Sequence, residues 1–187
     1  DVNTAFDSAN VSATTVTFTG LTPGNYYYAW IRTNCGDEAS WWMPTGRFSS
    51  NCVAVDSTWS EGFETTPTES IPLCWEVLED CEEYPLVVDD DAHLGQHSLV
   101  LFALDYFGMT GNSLIATPMI ENMADLQMTF YATNYYGMAP TVFAVGAVDS
   151  LGNFTGIDTL TLTDGFLPYI VYLSNYAQHG TRIGFRI

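Results

Sequence analysis

The sequence predicts an all-β protein built from sandwich-type sheets. Three observations carry this. Helical periodicity is scarce, apolar and polar residues alternate over short runs, and turn-forming clusters recur at short intervals between those runs. A change of composition after Asn51-Cys52 predicts two parts, residues 1–52 and 53–187.

The elements follow in order. Val16, Phe18 and then Leu21 open the first part, and the run from Tyr26 to Arg32 is its next strand. Gly36-Asp37-Glu38 marks a turn, and residues 46–50 read as another strand. In the second part, strands are expected at 58–64, 71–78, 98–103, 113–120, 126–132, 142–148, 157–163, 169–173 and 181–187. Leu126, Met128, Phe130 and Ala132 would share one face of their strand, as would Ile183, Phe185 and Ile187. Asp149-Ser150-Leu151-Gly152-Asn153 fits a hairpin loop. A second part of about 135 residues is long enough to bury a sizeable core.

Charge narrows the function classes. There are 22 acidic residues, no lysine and four arginines (Arg32, Arg47, Arg182 and Arg186), for a net charge of −18. At 47% apolar residues the chain is no disordered acidic tail, because it has the apolar area that offsets ordering entropy. Nucleic acid is excluded as a direct partner, since phosphate binding needs a basic face. An anionic membrane surface is disfavoured for the same reason. No stretch of about 18 apolar residues is present to insert into a bilayer.

Cys35, Cys52, Cys74 and Cys81 fall into two local pairs without a zinc-site spacing. The leading reading is two local disulfides, Cys35–Cys52 and Cys74–Cys81. Four cysteines allow three pairings, and free buried thiols are the other reading. Disulfides imply an oxidising compartment, extracellular or at the cell surface. The chain opens at Asp1 without a signal peptide, and its last seven residues read as a strand that stops at the final residue. A piece of a longer protein, with its targeting segment elsewhere, is expected.

The stretch Leu21-Thr22-Pro23-Gly24-Asn25-Tyr26-Tyr27-Tyr28-Ala29-Trp30-Ile31-Arg32 resembles the fibronectin type III pattern L-x-P-G-T-x-Y-x-V-x-V-R. The resemblance implies that residues 1–52 are the C-terminal part of such a domain. Tyr27 would be its tyrosine corner, bonding back to the turn at 21–24. Ala29 and Ile31 would point inward, and Tyr26, Tyr28, Trp30 and Arg32 outward. Trp41 and Trp42 lie close by in sequence. An outward aromatic platform can stack on sugar rings or a partner, or can pack against a neighbouring domain or missing strands.

Glu61-Gly62-Phe63-Glu64, followed by Ile71-Pro72-Leu73-Cys74-Trp75, resembles the opening of cleaved-adhesin jelly-roll modules of gingipain-type surface proteins of anaerobic bacteria, which are related in shape to MAM-type sandwiches. His97-Ser98-Leu99-Val100-Leu101, Leu114 to Ile120 and Leu126 to Ala132 resemble later strands of that family, in the same order. The fold class implied is a partial fibronectin type III sandwich followed by a β-jelly-roll at 53–187 that lacks its closing strand. The resemblance also implies a structural calcium ion drawing on the opening Phe-Glu strand and the closing one. Eight acids lie between Glu76 and Asp91, and hard oxygen ligands at such density suit calcium. Glu64 with Asp89, Asp90 and Asp91 is the candidate set, and a solvated acidic loop is the alternative.

Nucleophilic catalysis finds little support: no G-x-S-x-G and no H-E-x-x-H is present, and the chain reads as no enzyme. The expected function is a non-catalytic extracellular adhesin or binding module of a larger bacterial protein. It would recognise a glycan or a host or matrix protein, with other domains of the same longer chain as neighbours. Candidate contacts are Trp30, Trp41, Trp42, Tyr106, Tyr135 and Tyr136. Two alternatives stand beside it: a structural subunit of a filament or layer completed by strand exchange, and an accessory module of a secreted protease or glycoside hydrolase. Asp7-Ser8-Ala9, Asp56-Ser57-Thr58, Asp149-Ser150-Leu151 and Asp158-Thr159-Leu160 resemble the D-[S/T]-hydrophobic (or Thr) O-glycosylation motif of such bacteria, so Ser8, Ser57, Ser150 and Thr159 are candidate glycan carriers.

Overall fold

The computed structural model describes residues 5, 7–79, 85–102, 104–106, 109–134 and 141–187, with 104–106, 109, 110 and 141 described by their backbone alone. The chain is all-β, and among the described residues no helix reaches seven residues. No helix among the described residues is long and apolar enough to cross a membrane. The contacts within the chain divide it into two compact units, Asp1–Cys52 and Val53–Ile187.

In the first unit β1 (Tyr26–Ile31) pairs antiparallel with β4 (Met43–Ser49). A small hairpin between them joins β2 (Asn34–Cys35) to β3 (Glu38–Ala39). The aromatic run of β1 favours extended backbone. The hairpin turns at Gly36, which takes φ +70°, a left-handed geometry open to glycine. Tyr28 faces Arg47 and Trp30 faces Pro44, so β4 carries one extra residue there. Gly46 takes up that bulge at φ +93°. The Tyr27 hydroxyl accepts a 2.7 Å hydrogen bond from the Thr22 N–H, tying β1 to the turn before it. Ile31, expected to point into a core, is 61% exposed. A two-stranded ribbon has no second sheet to bury that face, and such ribbons are marginal alone.

In the second unit a five-stranded antiparallel sheet runs in the order β13 (Phe154–Leu162), β12 (Thr141–Val148), β15 (Arg182–Arg186), β10 (Leu114–Ala116), β5 (Glu76–Glu79). Two strand pairs pack on one face of it: β11 (Gln127–Ala132) with β14 (Leu167–Tyr172), and β6 (Leu86–Val88) with β7 (Ser98–Val100). A short hairpin of β8 (Leu104–Tyr106) and β9 (Met109–Gly111) precedes β10. Burial alternates residue by residue along β11, with Met128, Phe130 and Ala132 turned inward. Phe185 on β15 is the centre of the core. It stacks on Trp75 and on Phe143, with ring centroids 6.2 and 5.8 Å away, and meets Phe130 edge-on at 5.3 Å. Each such pair adds roughly 0.5–1.5 kcal/mol beyond area burial.

Three glycines let the large sheet close on an aromatic ring. Gly146 on β12 is paired with Gly156 on β13 and Gly184 on β15. A Cβ on Gly146 would stand 2.2 Å from the Thr155 carbonyl oxygen and 2.5 Å from the Phe154 ring, and one on Gly184 would meet the same ring at 2.8 Å. The two arginines of β15 are taken by β5 across the short strand β10. Arg182 pairs with Glu76, and Arg186 with Glu79 at 2.9 Å. Tyr176 is fully buried and donates its hydroxyl to Asp158 Oδ2. Burial, then that bond and the carboxylate charge, push the Tyr176 phenol well above its ordinary value of 10. Above pH ~10 the unfolded chain gives up this proton while the folded chain keeps it, so unfolding becomes easier as pH rises. Urea denaturation at pH 8 and 11 is expected to show a loss of stability that Tyr176→Phe reduces.

Three expected strands differ from what forms; of 113–120 only Leu114–Ala116 is a strand. Residues 58–64 form no strand, because side chains capture the local backbone. Asp56 Oδ1 accepts from the N–H and the hydroxyl of Thr58, and Glu61 Oε1 accepts from the Phe63 N–H. Phe63 itself is left-handed at φ +64°. Of 71–78 only the end joins β5, since Cys74 at φ +68° turns the chain just before it.

The cysteine pairing also differs. Cys52 is bonded to Cys74, and Cys35 is free and exposed in β2. Cys35–Cys52 and Cys74–Cys81 are therefore both corrected. Nearness in sequence suggested them, whereas a disulfide needs Cα atoms within about 7 Å. The observed bond closes a loop of about 20 residues, worth ~3 kcal/mol in the chain-entropy account. Cys81 lies outside the described residues. A disulfide fits an oxidising compartment.

Candidate functional site

The first unit exposes one aromatic face. Tyr26, Tyr28 and Trp30 stand at alternate positions of β1 and so point to the same side. Tyr26 and Tyr28 are exposed and Trp30 half-buried, with Tyr28 and Trp30 ring centroids 6.2 Å apart. Arg47, opposite Tyr28 on β4, lays its guanidinium over the Tyr26 ring at 4.1 Å. Arg32, next along from β1, lies over Trp42 at 4.6 Å. Trp41 is 91% exposed. Of the sequence-derived contacts, then, Trp30, Trp41 and Trp42 lie on or beside this ribbon. Tyr135 and Tyr136 fall outside the described residues, and Tyr106 is described only by its backbone, in β8.

Sequence reasoning missed how charge is shared between the units. Only four of the 22 acids lie in residues 1–52, with two of the four arginines, giving that unit a net charge of −2 against −16 for the other. The arginines of the second unit are engaged by carboxylates, whereas those of the first lie over aromatic rings. Counting charge by segment would have found this.

The acidic stretch is not one cluster. Glu76 and Glu79 are strand residues paired with arginine, Asp80, Glu82 and Glu83 lie outside the described residues, and Asp89, Asp90 and Asp91 open the β6–β7 loop. That loop forms a shallow concavity lined by Asp89 to Ala92 and Gly95 to His97. Glu64 is held at the end of the same loop, where its Oε1 accepts the N–H groups of Gln96 at 2.9 Å and His97 at 3.0 Å. These bonds, that from His97 first, hold the Glu64 carboxyl below its ordinary value. His97 Nδ1 lies 3.1 Å from the Phe63 carbonyl, which only a protonated nitrogen can satisfy. Among the described residues no three His, Cys, Asp or Glu gather as an ion-holding group. Glu64, Asp89, Asp90 and Asp91, the candidate calcium set, do not come together as such a group. Gly95, at φ +79°, explains the tight seat: a Cβ there would lie 2.2 Å from Glu64 Oε1. Gly95→Ala is expected to evict the carboxylate, read as faster amide exchange at Gln96 and His97.

A cleft of 770 Å³ opens between β7 and β11. Its walls include Leu99, Leu101, Met128 and Phe130, and its floor is Trp75 and Phe185. The β6–β7 loop reaches across to the β11–β14 pair, where His93 stacks on Tyr131 at 3.6 Å and meets Phe166 edge-on. Among the described residues the buried Trp75 Nε1 finds no hydrogen-bond partner. Ser8, Ser57, Ser150 and Thr159 are all exposed.

No protein-family model matches the chain, and neither a curated protein nor a solved structure is significantly similar to it.

Proposed function

We propose that the chain is a non-catalytic extracellular binding module that takes a glycan on the aromatic face of its first unit. One observation carries this reading. Exposed Tyr26 and Tyr28 and half-buried Trp30 form one stripe, flanked by the two arginines that lie over rings. Flat aromatic faces stack on the C–H faces of sugars, and exposed apolar patches of this kind mark interaction sites. Arg32 and Arg47 add cationic donors that favour a carboxylate-bearing sugar, because guanidinium matches carboxylate in charge and shape. The second unit, strongly acidic, would repel such a ligand and so leaves the first unit as the reader. The expected setting is a surface or secreted protein in which this unit is displayed.

A glycan array is the test. Wild-type chain is expected to bind acidic glycans, and Tyr28→Ala with Trp30→Ala together to lose at least about tenfold in affinity, in line with loss of ~1.4 kcal/mol or more. Binding confined to a matrix protein, with no glycan retained, would redirect the reading to a protein ligand. Unchanged glycan binding by the double variant would sink it.

A further inference from the structure

The two walls of the cleft of the second unit, β7 and β11, run in the same direction. Phe102, just past β7, accepts a hydrogen bond from the Ser113 hydroxyl, and the Ser113 carbonyl accepts one from the Ile187 N–H. The C-terminal end of β7 therefore lies at the Ile187 end of the large sheet. β11 ends there too: Asn134 N–H donates to Thr163, which follows Leu162, the partner of Thr141 at the start of β12, and Ala144 of β12 pairs with Arg186. So β7 and β11 run the same way. Among the described residues β7 is paired only with β6, and β11 only with β14. One strand antiparallel to both would use both free edges and join the two pairs into a single sheet. Its inward side chains would land on Met128, Phe130, Leu99 and Leu101, and beside the same space buried Trp75 Nε1 finds no acceptor among the described residues.

The chain also carries a segment with the complementary defect. Residues 14–19, Thr14-Thr15-Val16-Thr17-Phe18-Thr19, alternate apolar with threonine, as a strand with one buried face does. They are β-prone residues that pair with no strand, and Val16 is 47% exposed. Their length equals the six residues of β11. No charge occurs from Ser8 to Leu21, in a chain with 22 acids. That neutrality fits a cleft whose rim carries Asp56, Glu61 and Asp91, where an acidic strand would be repelled.

We propose that residues 14–19 of a second copy of this chain insert into the cleft, antiparallel to β7 and β11. Val16 and Phe18 turn onto the aromatic floor, and the backbone completes the sheet, as in β-strand addition. The contact joins two different surfaces, so it builds an open series of copies unless it is exchanged reciprocally. It is independent of the glycan-binding face.

Sedimentation of the full chain over a hundredfold range of concentration tests the proposal. Association that rises with concentration is expected, and Val16→Asp with Phe18→Asp should weaken it at least tenfold. Those positions lie outside any strand, and unchanged amide protection of β12 and β15 would show that the second unit still folds. A synthetic peptide of residues 13–21 should bind the double variant and protect the amides of β11, while a scrambled peptide should not. A chain that stays monomeric throughout and ignores the peptide overturns the proposal. So does a monomer whose β7 and β11 edge amides are already protected, because its cleft is then filled from within its own polypeptide.

Discussion

Gly146→Ala is expected to destabilise the second unit by about 3 kcal/mol, the upper part of the usual range for overpacking. The new methyl would meet the Thr155 carbonyl oxygen at 2.2 Å, and that oxygen belongs to the backbone of the neighbouring strand. A side-chain end could swing aside, but this atom moves only if β13 moves. The Phe154 ring closes the other way out at 2.5 Å. Gly62→Ala is the control, since its Cβ would have no neighbour nearer than 4.0 Å. It is expected to change stability by no more than about 0.5 kcal/mol. Urea denaturation of the two variants, followed by a signal from the second unit, measures the contrast.

Phe185→Ala is expected to cost ~3–5 kcal/mol, the range for removing a buried aromatic. The ring holds three others, Trp75, Phe143 and Phe130, which come from both layers of the unit. Its loss would leave a cavity continuous with the cleft, so the rings around it can shift only toward open space. Trp41→Ala, on the exposed end of the first unit, should leave the same transition unmoved. A small effect of Phe185→Ala would mean that the aromatic cluster is not the core of this unit.

These two residues show what could be read from the sequence and what could not. The alternation of Met128, Phe130 and Ala132, and of Ile183 and Phe185, was legible because strands with one buried face repeat every two residues. All five of these side chains belong to the same core cluster. Residues 58–64 also alternate in part, yet Asp56 and Glu61 bond the local backbone and no strand forms. The partners of Gly146 depend on which strands become neighbours, so nothing local announced them. The same holds for the cysteines: Cys52 meets Cys74 through the path of the chain, not through spacing. For the candidate site, the outward stripe of β1 followed from its register with Tyr27. The arginine partners of its rings came from β4 and from the residue after β1, which required the pairing of β1 with β4. The cleft was hidden because its walls come from β7 and β11, which are distant in sequence.

The tryptophans offer a direct reading of where ligand binds. Trp30, Trp41 and Trp42 belong to the first unit, and Trp59 and Trp75 line the cleft of the second. Indole N–H signals of all five, followed by NMR during titration with an acidic glycan that the chain retains, test the central claim. The account predicts shifts at Trp30 and Trp42, with Trp59 and Trp75 unmoved. Shifts confined to Trp59 and Trp75 would contradict it and place recognition in the second unit.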